Sequence, residues 1–242
     1  MKVKIIQYLV GNDPKYLELA KQCEKINRRY ADLHGYNLVF DYMDESKVKE
    51  YYGASGREEI LAYKMKFMYD HLMMNDCDLL VFIDADAAVS KPQIKIEDLI
   101  DDEHQIYLSR ANEKVCQIMH LTNIRNGMIR IFNNLDQLIK EYWEDILPRE
   151  NLYEDLEWMS LGCILANGGL YIIKNTEQMK ELYRDTLKAQ ELLMDTVYTS
   201  KSQDERAIGL CLLKKKYKST WTFLYEQSQG ALACMFKNKY DV

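Results

Sequence analysis

The sequence predicts an α/β protein whose central sheet is mostly parallel and flanked by helices. Three observations carry this. Apolar runs of strand length alternate with stretches of helical periodicity along the chain. The segment from Val3 to Tyr42 reads as a strand–helix–strand unit. The run Leu79-Leu80-Val81-Phe82-Ile83 is apolar at every position, which suits a strand covered on both faces. With 242 residues and 48% hydrophobic content the chain can bury a sizeable single core.

Taken in order, Val3–Val10 is the first strand, and Gly11-Asn12-Asp13-Pro14 turns the chain. Asp13 suits an N-cap and Pro14 the first helical position, so a helix is expected over 14–33, stopping at His34-Gly35. Tyr36–Tyr42 is the second strand, and the polar stretch Asp44–Gly56 reads as a loop. Leu61, Met65, Met68 and Leu72 recur at helical spacing and predict a helix over 58–74. The apolar strand that follows ends abruptly in Asp84-Ala85-Asp86.

Further on, Ile106–Ser109 and Met128–Phe132 look extended, and Leu135–Trp143 looks helical. The apolar run from Gly162 to Lys174 is expected to bend at Asn167-Gly168-Gly169 and continue as a strand. Thr176 caps a helix reaching Leu193, and a shorter helix spans Asp204–Lys214. The tail with Trp221, Phe223, Tyr225 and Phe236 shows no clear period.

Composition narrows the function. A net charge of −6 argues against a protein drawn as a whole to nucleic acid. Cys23, Cys77, Cys116, Cys163, Cys211 and Cys234 are scattered without zinc-site spacing, which favours free thiols in a reducing, cytoplasmic compartment. Ile5–Val10 is too short to span a membrane and carries no signal-cleavage pattern, so the reading is a soluble protein without a transmembrane segment, with peripheral membrane contact left open. Oligomeric state is not encoded in any pattern found.

The chemistry sits at Asp84 and Asp86. An isolated carboxylate is too costly to bury unpaired, so both belong at the strand's exit, facing positive charge. Mn²⁺ or Mg²⁺ carrying a diphosphate is the natural partner, because these ions take carboxylate and phosphate oxygens together. In an extended Asp-Ala-Asp both side chains leave one face. The plain alternative is two solvated aspartates at a strand end.

The motif Phe82-Ile83-Asp84-Ala85-Asp86-Ala87, the helix opening with Ala62-Tyr63-Lys64, the segment Asn167–Asn175, and Gln203-Asp204-Glu205-Arg206-Ala207 together resemble the GT-A nucleotide-sugar glycosyltransferases. Among these the chain looks closest to the retaining galactosyl/xylosyltransferase family of yeasts and plants. The resemblance covers about residues 1–215. It implies the GT-A fold, a Rossmann-like sheet, over a single catalytic domain 1–242, with nucleotide binding in about 1–110 and sugar or acceptor binding in about 111–242. It also implies a UDP-sugar donor, Mn²⁺ or Mg²⁺ on Asp84 and Asp86, and a carbohydrate acceptor. Two departures stand out. The Asp-Gln order of the late motif is altered at Gln203-Asp204, and no histidine follows Asn167, although such enzymes often use a late histidine on the metal.

Further candidates each keep a bland alternative. Asn167, Gly168 and Gly169 would approach the sugar through backbone and amide groups, or form an ordinary turn. Asp204 would act as general base in an inverting enzyme, hold sugar hydroxyls in a retaining one, or cap its helix. Arg57 and Lys64 would meet the diphosphate, or be solvated helix charges. Tyr8, at the first strand's end, would lie by the nucleotide base. Two competing functions remain at this point. A nucleotidyltransferase acting on sugar phosphates would need a Gly-rich, basic early loop, which Gly11-Asn12-Asp13-Pro14 is not. A non-enzymatic binding module would leave both motif aspartates solvated.

Overall fold

The computed structural model describes residues 1–110, 166–195, 203–212, 216–217, 219–224 and 234–235. The readings of 128–132 and 135–143 fall outside them. The first strand, β1 (Val3–Val10), is followed by α1 (Pro14–His34). Asp13 accepts a hydrogen bond from the Lys15 N–H at 2.9 Å, and Gly35 ends the helix at φ 71°, a left-handed conformation that glycine adopts without strain. Next come β2 (Asn37–Met43) and α2 (Glu45–Tyr52). The stretch expected as a loop thus contains a helix. Asp44 caps it by accepting from the Ser46 N–H, and Gly53 stops it at φ 77°.

After α3 (Arg57–Met73) the chain enters β3 (Leu79–Ile83) and the short β4 (Ala87–Ala88). Then follow β5 (Ile106–Arg110), β6 (Ala166–Lys174), α4 (Glu177–Asp195), α5 (Gln203–Leu212), β7 (Trp221–Phe223) and β8 (Cys234–Met235). The main sheet has the order β2-β1-β3-β6-β5-β7. Strands β2, β1 and β3 run parallel, β6 is reversed between β3 and β5, and β7 again runs with β5. The sheet is therefore mixed, and the reversed strand is the one that carries Gly168 and Gly169. These glycines do not turn the chain, because the strand runs through them from Ala166. The irregularity lies in the pairing, which shifts register between Leu108 and Ser109 on β5.

Alternation along β3 explains its unbroken apolar run. Leu80 and Phe82 pack with Met65, Met68 and Leu72 of α3, Tyr183 of α4 and Ile208 of α5. Leu79, Val81 and Ile83 pack on the other face with Tyr30 and Ala31 of α1. Cys23, Cys77 and Cys211 are buried thiols. Among the described residues no helix is long and apolar enough to cross a membrane.

His71 adds a pH dependence to this core. It is buried on α3 with its ring edge-on to Phe67 at 4.6 Å, and its Nδ1 has no hydrogen-bond partner among the described residues. Burial first, and the Lys4 ammonium second, push its pKa down to about 4 from 6.5. The unfolded chain therefore takes up this proton first as pH falls. The contribution is whole above the ordinary histidine pKa and is lost progressively toward the folded one, a loss on the order of 3 kcal/mol at about 1.4 kcal/mol per pKa unit. Urea denaturation at about pH 7 and about pH 4.5 should show a steeper decline for wild type than for His71→Phe. Equal declines would assign the effect to other groups.

Candidate active site

The site forms where β3 leaves the sheet. Asp84 follows Phe82 on the α3 and α5 side, as strand alternation requires. The chain then turns. The Ala87 N–H donates to the Asp84 carbonyl at 3.0 Å, closing a β-turn over Asp84–Ala87. The expected extended Asp-Ala-Asp is thus corrected, and the two carboxylates do not share one face. Asp84 is turned toward α3 and α5, whereas Asp86 is exposed. Asp86 lies on the α1 side, near Cys23, whose thiol is pushed up to about 11 by burial and then by the Asp86 charge.

Two buried amides hold this turn. The Gln7 side-chain N–H donates to the Asp84 carbonyl at 3.0 Å. Asn27 donates to the Ala87 carbonyl at 3.0 Å and to Gln7 Oε1 at 2.9 Å, and accepts from the Val89 N–H at 2.8 Å. On the sheet side the Asp84 N–H donates to the Gly169 carbonyl at 2.9 Å. The turn is thereby fixed to β1, α1 and β6 together.

Lys64 is the centre of the group. It occupies the buried stripe of α3, with its side chain 7% exposed. Its Nζ lies 3.0 Å from Asp84 Oδ1 and 3.2 Å from Asp204 Oδ2, and donates to the Gly168 carbonyl at 3.0 Å. The ammonium's three protons are matched by three oxygens. Phe82 lies beneath it, with the ring centroid 5.3 Å from Nζ. Burial works against the ammonium, yet Asp84 and then Asp204 hold its pKa well above the ordinary lysine value. Asp84, 29% exposed, has its pKa raised by burial, with Lys64 opposing and Asp86 and Asp204 adding to the rise.

Asp204 and Glu205 stand in the first turn of α5, where unpaired helix N–H groups favour negative charge. Asp204 is not the N-cap, because α5 begins at Gln203. Its carboxylate is 4% exposed and committed to Lys64. Glu205 accepts from the Gly168 N–H at 2.5 Å. Gly168 is thus gripped from both sides, and a Cβ there would sit 2.8 Å from Asp204 Oδ2 and 3.1 Å from Lys64 Nζ. Gly168→Ala is expected to displace the Asp204 carboxylate and cost about 1–3 kcal/mol, as overpacking of a filled site does. Thermal denaturation checks this, and an unchanged midpoint would mean that the cradle is looser than drawn.

Of the remaining candidates, Arg57 stands apart from this group. Arg57 is exposed at the start of α3, about two turns before Lys64. Tyr8 is a core residue beside the group, 8% exposed. Its ring packs on Phe67 at 5.0 Å and Phe82 at 6.0 Å, and its hydroxyl donates to the Ile60 carbonyl at 3.0 Å. Burial raises its hydroxyl pKa. Only the backbone of Asn167 is described, opposite Ser109, and its side chain lies outside the described residues. Glu205 was missed by the sequence reading, although it directly follows Asp204. A cavity of about 630 Å³ opens beyond the ends of β1 and β2, lined by Gly11, Asn12, Lys21, Tyr42, Asp44 and Glu45 among others.

Asp84 and Asp86 offer oxygens at the strand exit, and Lys64 takes one oxygen of a partly exposed Asp84. Among the described residues no group of three or more His, Cys, Asp or Glu is placed to hold a metal.

The fold defined by this sheet and its helices is one found in glycosyltransferases. The chain is similar to a glycosyltransferase involved in glycosylation of the major capsid of PBCV-1, with a TM-score of 0.55 at 8% identity, covering 98% of this chain and 94% of that one. Looser likenesses reach mouse xyloside xylosyltransferase 1 (TM-score 0.46, 10% identity, 93% and 85% covered) and GlyE of Streptococcus pneumoniae TIGR4 (0.44, 13%, 94% and 46%). No family model and no curated protein sequence matches the chain. What stands is a mixed α/β fold of glycosyltransferase type. The finer resemblance to one yeast and plant family gains no match.

Proposed function

We propose that this chain is a glycosyltransferase of GT-A type that moves a sugar from a nucleoside-diphosphate donor, UDP-sugar first, to a hydroxyl of a carbohydrate acceptor. One observation carries the reading: Asp84, Lys64, Asp204 and Gly168 converge where the central strand ends. In this reading residues from about 1–110 bind the nucleotide and those from about 111–242 the sugar and acceptor. The cavity beyond β1 and β2 receives the nucleoside. Mn²⁺ or Mg²⁺ would be held at the exposed Asp86, with Asp84 beside it on the other side of the turn, and would neutralise the departing diphosphate.

The chain's own residues set the geometry. Gln7 and Asn27 keep the Asp84–Ala87 turn from relaxing when ligand enters. Lys64 holds Asp84 and Asp204 at one point and adds positive charge beside the leaving group. Asp204, buried and ion-paired, serves to position Lys64 and Gly168. An exposed general base would not be paired in this way.

The test is a panel of nucleotide sugars incubated with the whole chain, with and without Mn²⁺, scored for released nucleoside diphosphate and for sugar on water or added glycans. Release from at least one UDP-sugar, dependent on Mn²⁺, is expected. Pyrophosphate released from a nucleoside triphosphate and a sugar phosphate would overturn the reading in favour of nucleotidyl transfer. No turnover and no nucleotide binding would leave a non-enzymatic module.

A further inference from the structure

Tyr171 lies within β6, fully buried, paired with Phe82 of β3 on one side and Leu108 of β5 on the other. It belongs to the same core cluster as Ala207 and Ile208, which follow Asp204 by three and four residues on α5. Its ring is therefore on the face of the sheet that carries Lys64 and Asp204. Its hydroxyl, however, has no hydrogen-bond partner among the described residues. A buried hydroxyl left unpaired is destabilising, and phenylalanine in the same place would avoid it. Burial first, and the Asp204 charge second, hold the hydroxyl's pKa well above the ordinary tyrosine value. It stays a proton donor at neutral pH.

Lys64 creates the need for a spare donor. Its ammonium has three protons, and Asp84, Asp204 and the Gly168 carbonyl take all three. A phosphate oxygen that approaches Lys64 is bonded only if one of these oxygens is given up. Asp84 is partly exposed and lies on the side from which a ligand arrives, whereas Asp204 is buried. An ammonium drawn toward the open side leaves Asp204 behind. A buried carboxylate without a donor is strongly disfavoured.

We propose that Tyr171 is a positioning residue, whose hydroxyl takes over the Asp204 carboxylate when a diphosphate draws the Lys64 ammonium away from it. The proposal rests on the reading of this site as one for a nucleoside diphosphate. Lys64 then serves the phosphate, Asp84 and the Gly168 carbonyl, while Tyr171 keeps Asp204 and the first turn of α5 in place. The hydroxyl gains its hydrogen bond only in the bound arrangement. That difference favours the bound arrangement and adds to nucleotide affinity.

The test is UDP affinity by calorimetry at one fixed Mn²⁺ concentration, together with the melting midpoint without UDP. Tyr171→Phe should hold or raise the midpoint, because no hydrogen bond is lost. It should weaken UDP binding about tenfold, the scale of one hydrogen bond to a charged group. A purely structural tyrosine would leave that affinity unmoved. In an Asp204→Asn background the same change should weaken UDP binding less than about twofold, because the charged acceptor is gone. Tyr183→Phe is the control. It removes another buried hydroxyl, one that donates to Met68 Sδ at 3.5 Å, and should leave UDP affinity within about twofold of wild type.

Unchanged UDP affinity in Tyr171→Phe overturns the proposal. So does a lowered midpoint, which would show the hydroxyl already bonded. Equal weakening in Tyr183→Phe, or an undiminished effect beside Asp204→Asn, overturns it as well. If Asp204→Asn does not fold, the comparison with Tyr183→Phe decides alone. The failure of the nucleotide-site reading looks different. There wild type itself binds no UDP, and the proposal falls with the reading.

Discussion

Lys64→Met is expected to lower the unfolding free energy by about 3–5 kcal/mol, the range for removing one partner of a buried ion pair. Methionine keeps most of the volume above Phe82, so packing loss contributes little. The loss comes from the stranded acids. Asp204, 4% exposed, is left without its ammonium, and Asp84 loses the same partner. Urea denaturation measures the change, with an unaltered slope showing that the unfolded state is not the cause.

The informative companion is Lys64→Met/Asp204→Asn. Neutralising Asp204 as well removes the more deeply buried of the two stranded acids, so the double variant should recover part of the loss, with Asp84 still lacking its ammonium. The wild-type lysine stays protonated through neutral pH, since Asp84 and Asp204 hold its pKa well above the ordinary value. Its folded pKa is raised, so its contribution is whole below the unfolded lysine value and declines only as alkali titrates it. A single variant that loses less than about 1 kcal/mol, or a double variant no more stable than the single, would show that the pair is open to solvent.

How much of this was legible in the sequence follows from the physics of each element. β1, α1 and β3 were readable because caps, a glycine stop and an unbroken apolar run act locally. α2 was not, because Glu45–Tyr52 is short and polar, and a glycine such as Gly53 reads equally as loop punctuation and as a helix stop. The reversal of β6 depends on partners far along the chain and has no local signature. The same holds for the glycines within it. An Asn-Gly-Gly sequence reads as a turn, yet here Gly168 is needed for closeness to Asp204 and Lys64 rather than for chain reversal.

A clue to the site was nonetheless present. Lys64 falls three after Leu61 and four before Met68, inside an apolar stripe, and Asp204 falls four before Ile208 in another. One buried cation and one buried anion in helices that both face the sheet call for each other, because neither is tolerated alone. The misplaced charge in each stripe is visible in the sequence alone. The orientation of Asp86 could not be had this way. It follows from the turn that Gln7 and Asn27 enforce, and those amides look like ordinary polar residues in the sequence.

Asp86→Asn should separate chemistry from folding more sharply than any other substitution. The residue is exposed in the turn, and the asparagine preserves shape, so stability should change by no more than about 0.5 kcal/mol. If Asp86 is the carboxylate that receives the metal–diphosphate, turnover should fall on the order of 10²–10³-fold, the scale for removing one fixed electrostatic contact to developing charge. Raising Mn²⁺ should recover part of the loss, since weakened metal affinity contributes to it. Asp84→Asn cannot make this distinction, because it also strips a partner from buried Lys64 and would lower stability and turnover together. Parallel measurement of kcat/KM and melting midpoint therefore assigns the roles. Asp86→Asn should move the first alone and Asp84→Asn both. Full turnover in Asp86→Asn with an unchanged midpoint would make Asp86 a solvated turn residue and leave the diphosphate to Lys64 alone.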